Sequence, residues 1–251
     1  MTRHVTRMSI WEAEHFSEDR RAAIVSAYPP HERDARAKGV PQLGSGRVFP
    51  VAEANVAIPA FNLPDWWPSL GALDFGWDHP TAAVKIAWDR DNDCAYVVNV
   101  YRVREATPLL HAAALKAWGQ HLPWAWPHDG YQHDIESGRA IADAYRELGL
   151  KMLPHHAQFD GERGAGLEAG LMDMLERLQT GRLKVFDHLN DWFDEFRLYH
   201  RKDGVVVKEY DDLMSATRYA LMSLRFARTA AVRPRAGYAE MDYDYFGGRD
   251  N

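Results

Sequence analysis

The sequence lacks several features that mark particular protein classes. It contains one cysteine, Cys94, so an internal disulfide and a thiolate zinc site are both excluded, and a reducing compartment is favoured. It has no uninterrupted apolar run long enough for a transmembrane helix. The N-terminus mixes basic, polar and acidic residues, unlike a signal peptide. The protein is therefore expected to be globular, with no membrane contact.

Basic residues are also scarce. The 30 Lys and Arg are outnumbered by 36 Asp and Glu, which gives a formal net charge of −6, and no dense basic block occurs. A strong autonomous nucleic-acid binder is therefore not expected, since such proteins carry a basic face. A protein that meets nucleic acid through metal ions, or within a larger assembly, is compatible with this charge. The phosphate-loop motif GxxxxGK[ST] is absent, which excludes ATP hydrolysis by that route.

The residues divide into a lead-in, a body and a tail. Residues 1–69 are predicted to hold a short helix from Ser17, an extended loop rich in Pro, Gly and charge, and a strap. Trp66 and Trp67 should pack the strap on the body, because exposing them is costly. Residues 70–228 carry regular patterns, and residues 229–251 are predicted to be a disordered or partner-binding tail.

The body begins with three strand-like segments and continues with alternating helices and strands. The first three are LGALDFG, TAAVKIAWD and CAYVVNVYRV, and the polar turn DRDND joins the last two. Later helices are predicted to begin at Ser137, Asp187 and the pair Asp211–Asp212. This order predicts an α/β fold with a mixed central sheet, antiparallel in its first three strands and covered by helices on both faces.

Acidic residues stand in three places where a structural role is hard to find. Asp74 lies in the first strand, Asp129 follows the fourth, and Asp211 and Asp212 open the last long helix. Strand ends and a helix start can converge at one sheet edge, where ligand sites are common. Converging carboxylates raise one another's pKa unless a cation neutralises them, and hard oxygen ligands favour Mg²⁺ or Mn²⁺. Each acid alone is more often structural, by roughly two to one, as a buried acid, a turn residue or a helix cap.

Two further groups of polar residues carry weaker signals. A His/Asp metal phosphohydrolase would use histidines and aspartates such as those clustered at His128, Asp129, His133, Asp134, His155 and His156. The strands of this chain conflict with the all-helical fold of such enzymes. The best basic cluster is Arg197, Arg201 and Lys202, which favours either a solvated hairpin or contact with DNA phosphates.

Several motifs in order resemble the nuclease domain of large terminase subunits from tailed phages. They are GALDFGWDHPTA, AWPHDG, SGRAIADAYRELGLKM and TGRLKVF, followed by WFDEFRLYHRKDG and DDLMSATRYALM. The likeness runs from about residue 10 to residue 228 and is greatest to headful-packaging podophages of enteric bacteria. LGSGRVFPV resembles the connector after the packaging ATPase of such proteins. The resemblance therefore implies a C-terminal fragment, or a gene product without the motor.

The resemblance implies an RNase H-like fold and a metal-dependent endonuclease that cuts concatemeric viral double-stranded DNA. Asp74, Asp129 and Asp212 match the catalytic acids, and they would hold two Mg²⁺ or Mn²⁺ ions with Asp74 between them. Asp211 is an alternate ligand, because many relatives carry a further aspartate where this chain has Ser215.

The same resemblance implies accessory residues and partners. Glu195 matches a recurring family acid, and either His79 or His128 is a candidate for proton transfer. Expected partners are double-stranded DNA, the packaging ATPase domain, the small terminase subunit and the portal, in the cytoplasm of the host cell. Two other classes stay open besides the phosphohydrolase: another RNase H-like nuclease such as a junction resolvase, and a non-catalytic module that docks on the packaging machinery or portal.

Overall fold

The computed structural model describes residues 8–28, 33–38, 46–132, 140–159 and 166–230. Within these ranges the α-helices are α1 (Glu18–Ala27), α2 (Arg33–Lys38), α3 (Pro108–Lys116), α4 (Ile141–Glu147), α5 (Leu167–Thr180), α6 (Asn190–Leu198) and α7 (Asp212–Met222). The strands are β1 (Ala57–Ile58), β2 (Ser69–Asp74), β3 (Thr81–Asp89), β4 (Cys94–Val103), β5 (Pro123–Ala125), β6 (Lys151–Met152), β7 (Leu183–Phe186), β8 (Arg201–Lys202) and β9 (Val205–Val206).

Seven strands form one mixed sheet in the order β1-β7-β4-β3-β2-β5-β6. β2, β3 and β4 are antiparallel neighbours, and the other pairs in the sheet are parallel. β8 and β9 form a separate antiparallel hairpin. The α/β class and the antiparallel arrangement of the first three regular strands are thereby confirmed.

The antiparallel strands follow from aliphatic composition and one polar turn. β3 is buried along most of its length, as expected for the continuous apolar run TAAVKIAWD. The turn between β3 and β4 is closed by Asp89, whose Oδ1 accepts the backbone N–H groups of Asp91 and Asn92 at 3.1 and 3.3 Å. The predicted DRDND turn therefore lies where the sequence placed it.

Helix α7 is buried on nearly every side. It packs on β2 and β3, and α5 and α6 pack against it in turn. Leu213, Ala216 and Ala220, whose spacing of three and four residues gives the helix an apolar face, are buried. However, the polar residues Ser215 and Arg218 are buried as well. The neighbouring helices therefore enclose a helix whose sequence predicts only one buried face.

Two predictions of local structure in the N-terminal region are wrong. Residues 29–51 were expected to be loop throughout, but α2 forms within them because HERDARAK is rich in good helix formers. The side chain of Trp66 is 71% exposed, whereas Trp67 stacks on Tyr96 with ring centroids 5.1 Å apart. One tryptophan therefore suffices to pack the strap against the sheet.

One predicted helix start is wrong, and a second lies outside the described residues. Asp187 does not cap α6: its N–H donates to the carbonyl of Ile58 at 2.9 Å, which extends the β1–β7 pair, and α6 begins at Asn190. α4 begins at Ile141, and the predicted start at Ser137 lies outside the described residues.

The sheet begins ahead of residue 70. β1 pairs with β7, and Phe49 and Val56 are buried in the core. The division of the chain at residues 69 and 70 stays a prediction, as does the tail, of which residues 231–251 are outside the described part. Across the described ranges, no helix has both the length and the apolar character needed to cross a bilayer.

Candidate active site

Asp74 and Asp129 come together because β2 and β5 run parallel. Asp74 is the last residue of β2. Asp129 lies in a short 3₁₀ turn, His128–Tyr131, shortly after β5 ends. Parallel neighbours end at the same edge of a sheet, so both carboxylates reach one cavity of about 330 Å³.

The start of α7 brings Asp211 and Asp212 to the same cavity. Asp211 is the N-cap residue and its carbonyl accepts the N–H of Ser215 at 2.7 Å, yet its side chain makes no capping hydrogen bond. The further residues that line the cavity are Phe75, His79, Leu167, Tyr199, Val206, Lys208, Ser215, Arg218 and Tyr219. The structure thus brings all four predicted metal-ligand aspartates together, with Ser215 beside them.

Glu195 supplies the helix cap that the aspartates do not. Its carboxylate is buried, and Oε2 accepts the backbone N–H groups of Leu213 at 2.6 Å and Met214 at 3.3 Å. An acidic side chain at this position also complements the positive end of the helix dipole. Glu195 does not line the cavity; it fixes the end of α7 from which Asp212 projects.

Arg102 links Glu195 to Asp212. Its Nε lies 2.9 Å from Glu195 Oε1, and its Nη2 lies 3.5 Å from Asp212 Oδ2. Arg102 is opposite Ala82, which is opposite Asp74, so the three residues form one row across β4, β3 and β2. Sequence reasoning missed Arg102, because its role depends on this long-range register.

Burial and mutual repulsion raise the pKa values of the cavity acids. Burial raises the pKa of Asp74 well above its ordinary range, and the carboxylates of Asp129, Asp212 and Asp211 raise it further. Burial also raises the pKa values of Asp129, Asp211 and Asp212, although Arg102 opposes the shift at Asp212. The cavity therefore disfavours several negative charges at once in the absence of cations.

The donor set suits a hard divalent cation but is not arranged around one. Oδ1 of Asp129 is buried, and within the described part of the chain no donor reaches it. Over the same residues, no group of three or more His, Cys, Asp or Glu side chains converges closely enough to hold a metal ion. The cavity therefore holds four aspartates without a preformed coordination shell.

The two candidate histidines occupy different positions. His79 is exposed at the rim of the cavity, and its charge lowers the pKa values of Asp211 and Asp212 against the effect of burial. His128 stands outside the lining, with its ring packed edge-on against Tyr131 and His156. Of the residues considered for a phosphohydrolase, His133 and Asp134 lie outside the described ranges.

The predicted basic cluster is divided among internal ion pairs and solvent. Arg197 makes two short contacts with Glu53, through Nε at 2.7 Å and Nη2 at 2.6 Å. Arg201 is held by Glu168, with Nη2 at 2.6 Å from Oε2. Lys202 is exposed on the β8–β9 hairpin. Of these three residues, Lys202 is the one whose charge faces solvent, with no ion pair to another described residue.

Two cations beside the cavity were not identified from the sequence. Arg218 is buried on α7, with its guanidinium 4.4 Å from the Tyr219 ring centroid, and it opposes the rise in the pKa of Asp74. Lys208 is exposed at the opening. Both could have been identified by their nearness in sequence to the aspartates. Lys208 shortly precedes Asp211, and Arg218 lies about two turns into the helix that Asp212 begins.

Comparison with known proteins places this arrangement in a family. Residues 71–224 match the family described as Terminase RNaseH-like domain. The large terminase subunit of Salmonella phage P22 is 42% identical over 226 residues, which cover 89% of this chain and 45% of that protein. The chain therefore spans about half the length of this relative.

Solved structures agree in fold. The P22 large terminase nuclease domain is 41% identical and superposes with a TM-score of 0.68, covering 74% of this chain and 96% of that chain. The large terminase nuclease domain of bacteriophage SPP1, solved with bound Mn, is 16% identical with a TM-score of 0.52, covering 69% and 98%. The RNase H-like fold is thereby confirmed, and the chain belongs to the Terminase RNaseH-like domain family.

Proposed function

We propose that this chain is the nuclease domain of a phage large terminase, and that it cuts concatemeric viral double-stranded DNA during genome packaging. The observation that carries the proposal is the gathering of four aspartates in one cavity, at the ends of β2 and β5 and the start of α7. Such a set is suited to divalent cations rather than to covalent catalysis by a side chain. The identity with the P22 nuclease domain supports the same reaction.

Mg²⁺ or Mn²⁺ fits the residues that line the cavity. Asp74, Asp129 and Asp212 would hold two such ions, with Asp211 as the alternate ligand. The unpartnered Asp129 oxygen and the raised pKa of Asp74 support this assignment. Divalent ions bound there supply activation of a water molecule and neutralise charge at the phosphodiester.

The remaining residues orient the ligands and the substrate. Glu195 and Arg102 hold the start of α7, which fixes the direction of the Asp212 side chain. His79 is proposed to transfer a proton at the rim, because it lines the cavity and His128 does not. Lys208 and Lys202 are proposed to contact DNA phosphates, whereas Arg197 and Arg201 brace surrounding segments through their ion pairs.

The proposed partners are those that membership of the terminase family implies. The P22 large subunit is about twice as long as the segment matched here. We infer that a packaging ATPase domain accompanies this nuclease, and that the small terminase subunit and the portal complete the assembly in the host cytoplasm.

Cleavage of supercoiled plasmid in Mn²⁺ tests the proposal, with Mn²⁺ binding measured by calorimetry beside it. Asp74→Ala and Asp129→Asn should abolish cleavage and weaken Mn²⁺ binding, whereas Asp78→Asn, in the exposed bend after β2, should do neither. Full activity of either active-site variant, or cleavage undiminished by excess EDTA, would contradict the mechanism. A strong preference for four-way junctions over linear duplex would favour a resolvase instead.

A further inference from the structure

Three exposed aromatic residues are close neighbours in the chain of residues that line the cavity. Trp77, Tyr131 and Tyr210 are 57%, 44% and 55% exposed. Each lies within two residues of a side chain that lines the cavity: Phe75 and His79 flank Trp77, Asp129 precedes Tyr131, and Lys208 and Asp211 flank Tyr210. Large aromatic side chains are costly to expose, so three on segments that border one cavity indicate a surface that contacts a ligand.

The Trp77 ring stands on a backbone bend that is tied to its surroundings. Thr81 Oγ1 donates to the carbonyl of Gly76 at 2.8 Å, and the N–H of Glu105 donates to the carbonyl of Trp77 at 3.4 Å. The backbone of the bend is thereby fixed while the indole remains open to solvent. Because the backbone is fixed, only the side-chain torsions of Trp77 have to be ordered when a flat partner stacks on its ring.

Tyr131 is held by other rings. Its ring centroid is 4.8 Å from that of Trp126 and 5.6 Å from that of His156, both in edge-on arrangements. Trp126 is fully buried and donates its indole N–H to the carbonyl of Leu153 at 2.8 Å. Tyr131 therefore projects from a rigid base beside Asp129.

Tyr210 is held in an unfavourable backbone conformation. Its φ is +56°, in the left-handed region that costs a non-glycine residue about 1 kcal/mol. Its ring faces the guanidinium of Arg102 at 5.8 Å, and Arg102 contacts Asp212. Strain of this kind persists where the surrounding structure imposes it, and it is common at ligand-binding sites.

We propose that Trp77, Tyr131 and Tyr210 stack against nucleobases, so that the site takes DNA with unpaired nucleotides beside the scissile phosphate. This inference rests on the proposed nuclease function and names the structural class of its substrate. Aromatic rings combined with cations, here Lys208 and His79, are the pattern of single-strand binding surfaces. Bases within a duplex stack on each other and expose only their edges, so exposed rings bind unpaired bases better. Stacking tolerates every base, so the preference is for DNA conformation rather than sequence.

Binding of fluorescent oligonucleotides in Ca²⁺ tests the inference, with a blunt duplex compared to the same duplex carrying a short central bubble. The wild type should bind the bubble more tightly than the duplex. Three variants are compared with it: Trp77→Ala, Tyr210→Ala and Tyr210→Phe. Each alanine variant should weaken bubble binding by about 5- to 150-fold, the factor that corresponds to 1–3 kcal/mol of stacking, and change duplex binding little. Tyr210→Phe keeps the ring and should bind as the wild type does.

Trp66→Ala is the matched control, because Trp66 is more exposed than Trp77 but precedes the opposite end of β2. It should leave both affinities unchanged. 2-Aminopurine placed in the bubble should lose fluorescence on binding the wild type and retain it with Trp77→Ala.

Three outcomes overturn the inference and separate it from the proposed function. Equal affinity for bubble and duplex, with metal-dependent plasmid cleavage intact, would refute stacking by these aromatic residues. It would not contradict the proposed nuclease function. An equal effect of Trp66→Ala and Trp77→Ala would refute stacking in the same way. Binding to neither DNA would overturn the inference, and loss of metal-dependent plasmid cleavage would be needed to overturn the proposed function as well.

Discussion

The carboxylate of Glu195 on α6 closes the N-terminal end of α7, with Oε2 lying 2.6 Å from the backbone nitrogen of Leu213. A second N–H, that of Met214, reaches the same oxygen at 3.3 Å. Four N–H groups at a helix start lack intrahelical partners, and an Asp at the N-cap commonly satisfies one of them. Because Glu195 does so from outside the helix, the carboxylates of Asp211 and Asp212 remain available to the cavity.

Removing this cap should be costly for both stability and the site. Glu195→Ala leaves two N–H groups and the Arg102 guanidinium without their buried partner, so we expect a loss of about 3–5 kcal/mol in the free energy of unfolding. Glu195→Gln keeps an acceptor for the helix and should lose less. Urea denaturation measures both losses, and Mn²⁺ affinity should fall in the same order.

Glu168→Ala is the control for that comparison. Glu168 forms an ion pair with Arg201 at 2.6 Å, but its side chain is exposed. Its removal should change the free energy of unfolding far less than Glu195→Ala does, because solvent screens an exposed ion pair. Similar losses for Glu168→Ala and Glu195→Ala would contradict the capping role.

The stability of the metal-free protein should fall as the pH rises. Burial raises the pKa of Glu195 from 4.5 to about 8, against the opposing charge of Arg102, and the pKa of Asp74 is raised as well. Between about pH 4.5 and pH 8 the folded state retains a proton on Glu195 that the unfolded state has released. The free energy of unfolding therefore decreases through this window. Thermal denaturation in EDTA at the two ends of the window measures the effect.

Divalent cations should reverse this pH dependence. Protons and cations compete for the same carboxylate oxygens, so Mn²⁺ should raise the melting temperature more near pH 8 than near pH 5. Glu195→Gln, which removes one titrating group, should flatten the profile in EDTA. A profile of Glu195→Gln in EDTA as steep as that of the wild type would contradict the raised pKa of Glu195.

Asp74→Asn should stabilise the fold while it removes activity. In the absence of metal, the buried Asp74 carboxylate faces three other acids, and the amide relieves that repulsion. The expected gain in the free energy of unfolding at pH 8 in EDTA is on the order of 1 kcal/mol. Urea denaturation measures the gain, and Asp78→Asn in the exposed bend should leave stability unchanged. A destabilised Asp74→Asn variant would indicate a structural role for the carboxylate.

The parts of the site that could be predicted are those encoded locally. Asp74 interrupts an apolar strand, and Asp211 and Asp212 precede a helical pattern, so their positions follow from neighbouring residues. The contacts of Arg102 could not be predicted, because they depend on the register that sets it opposite Ala82 and on the packing of α6 against α7. The burial of Ser215 and Arg218 depends likewise on neighbouring helices rather than on the sequence of α7 itself.

Gly130 makes a final prediction possible without altering any acid. A Cβ at this position would overlap the ring of Trp126 and lie 2.9 Å from Cε2 of Phe75. Both rings are held by packing, so the 3₁₀ turn that carries Asp129 would have to move. Gly130→Ala should therefore reduce Mn²⁺ affinity and plasmid cleavage, and should cost about 1–3 kcal/mol in the free energy of unfolding. Calorimetry and urea denaturation measure these effects separately.

Gly204→Ala separates loss of stability from loss of geometry. Gly204 has a φ of +81°, which strains an alanine, but no atom lies within 4 Å of the added Cβ. It should therefore lose about 1 kcal/mol of stability and keep full Mn²⁺ affinity, because the added Cβ displaces no neighbouring atom. If Gly130→Ala also kept wild-type Mn²⁺ affinity, displacement of the turn that carries Asp129 would not affect metal binding. That result would argue against Asp129 as a metal ligand. The pair of variants thus tests whether the turn after β5 positions Asp129 for metal.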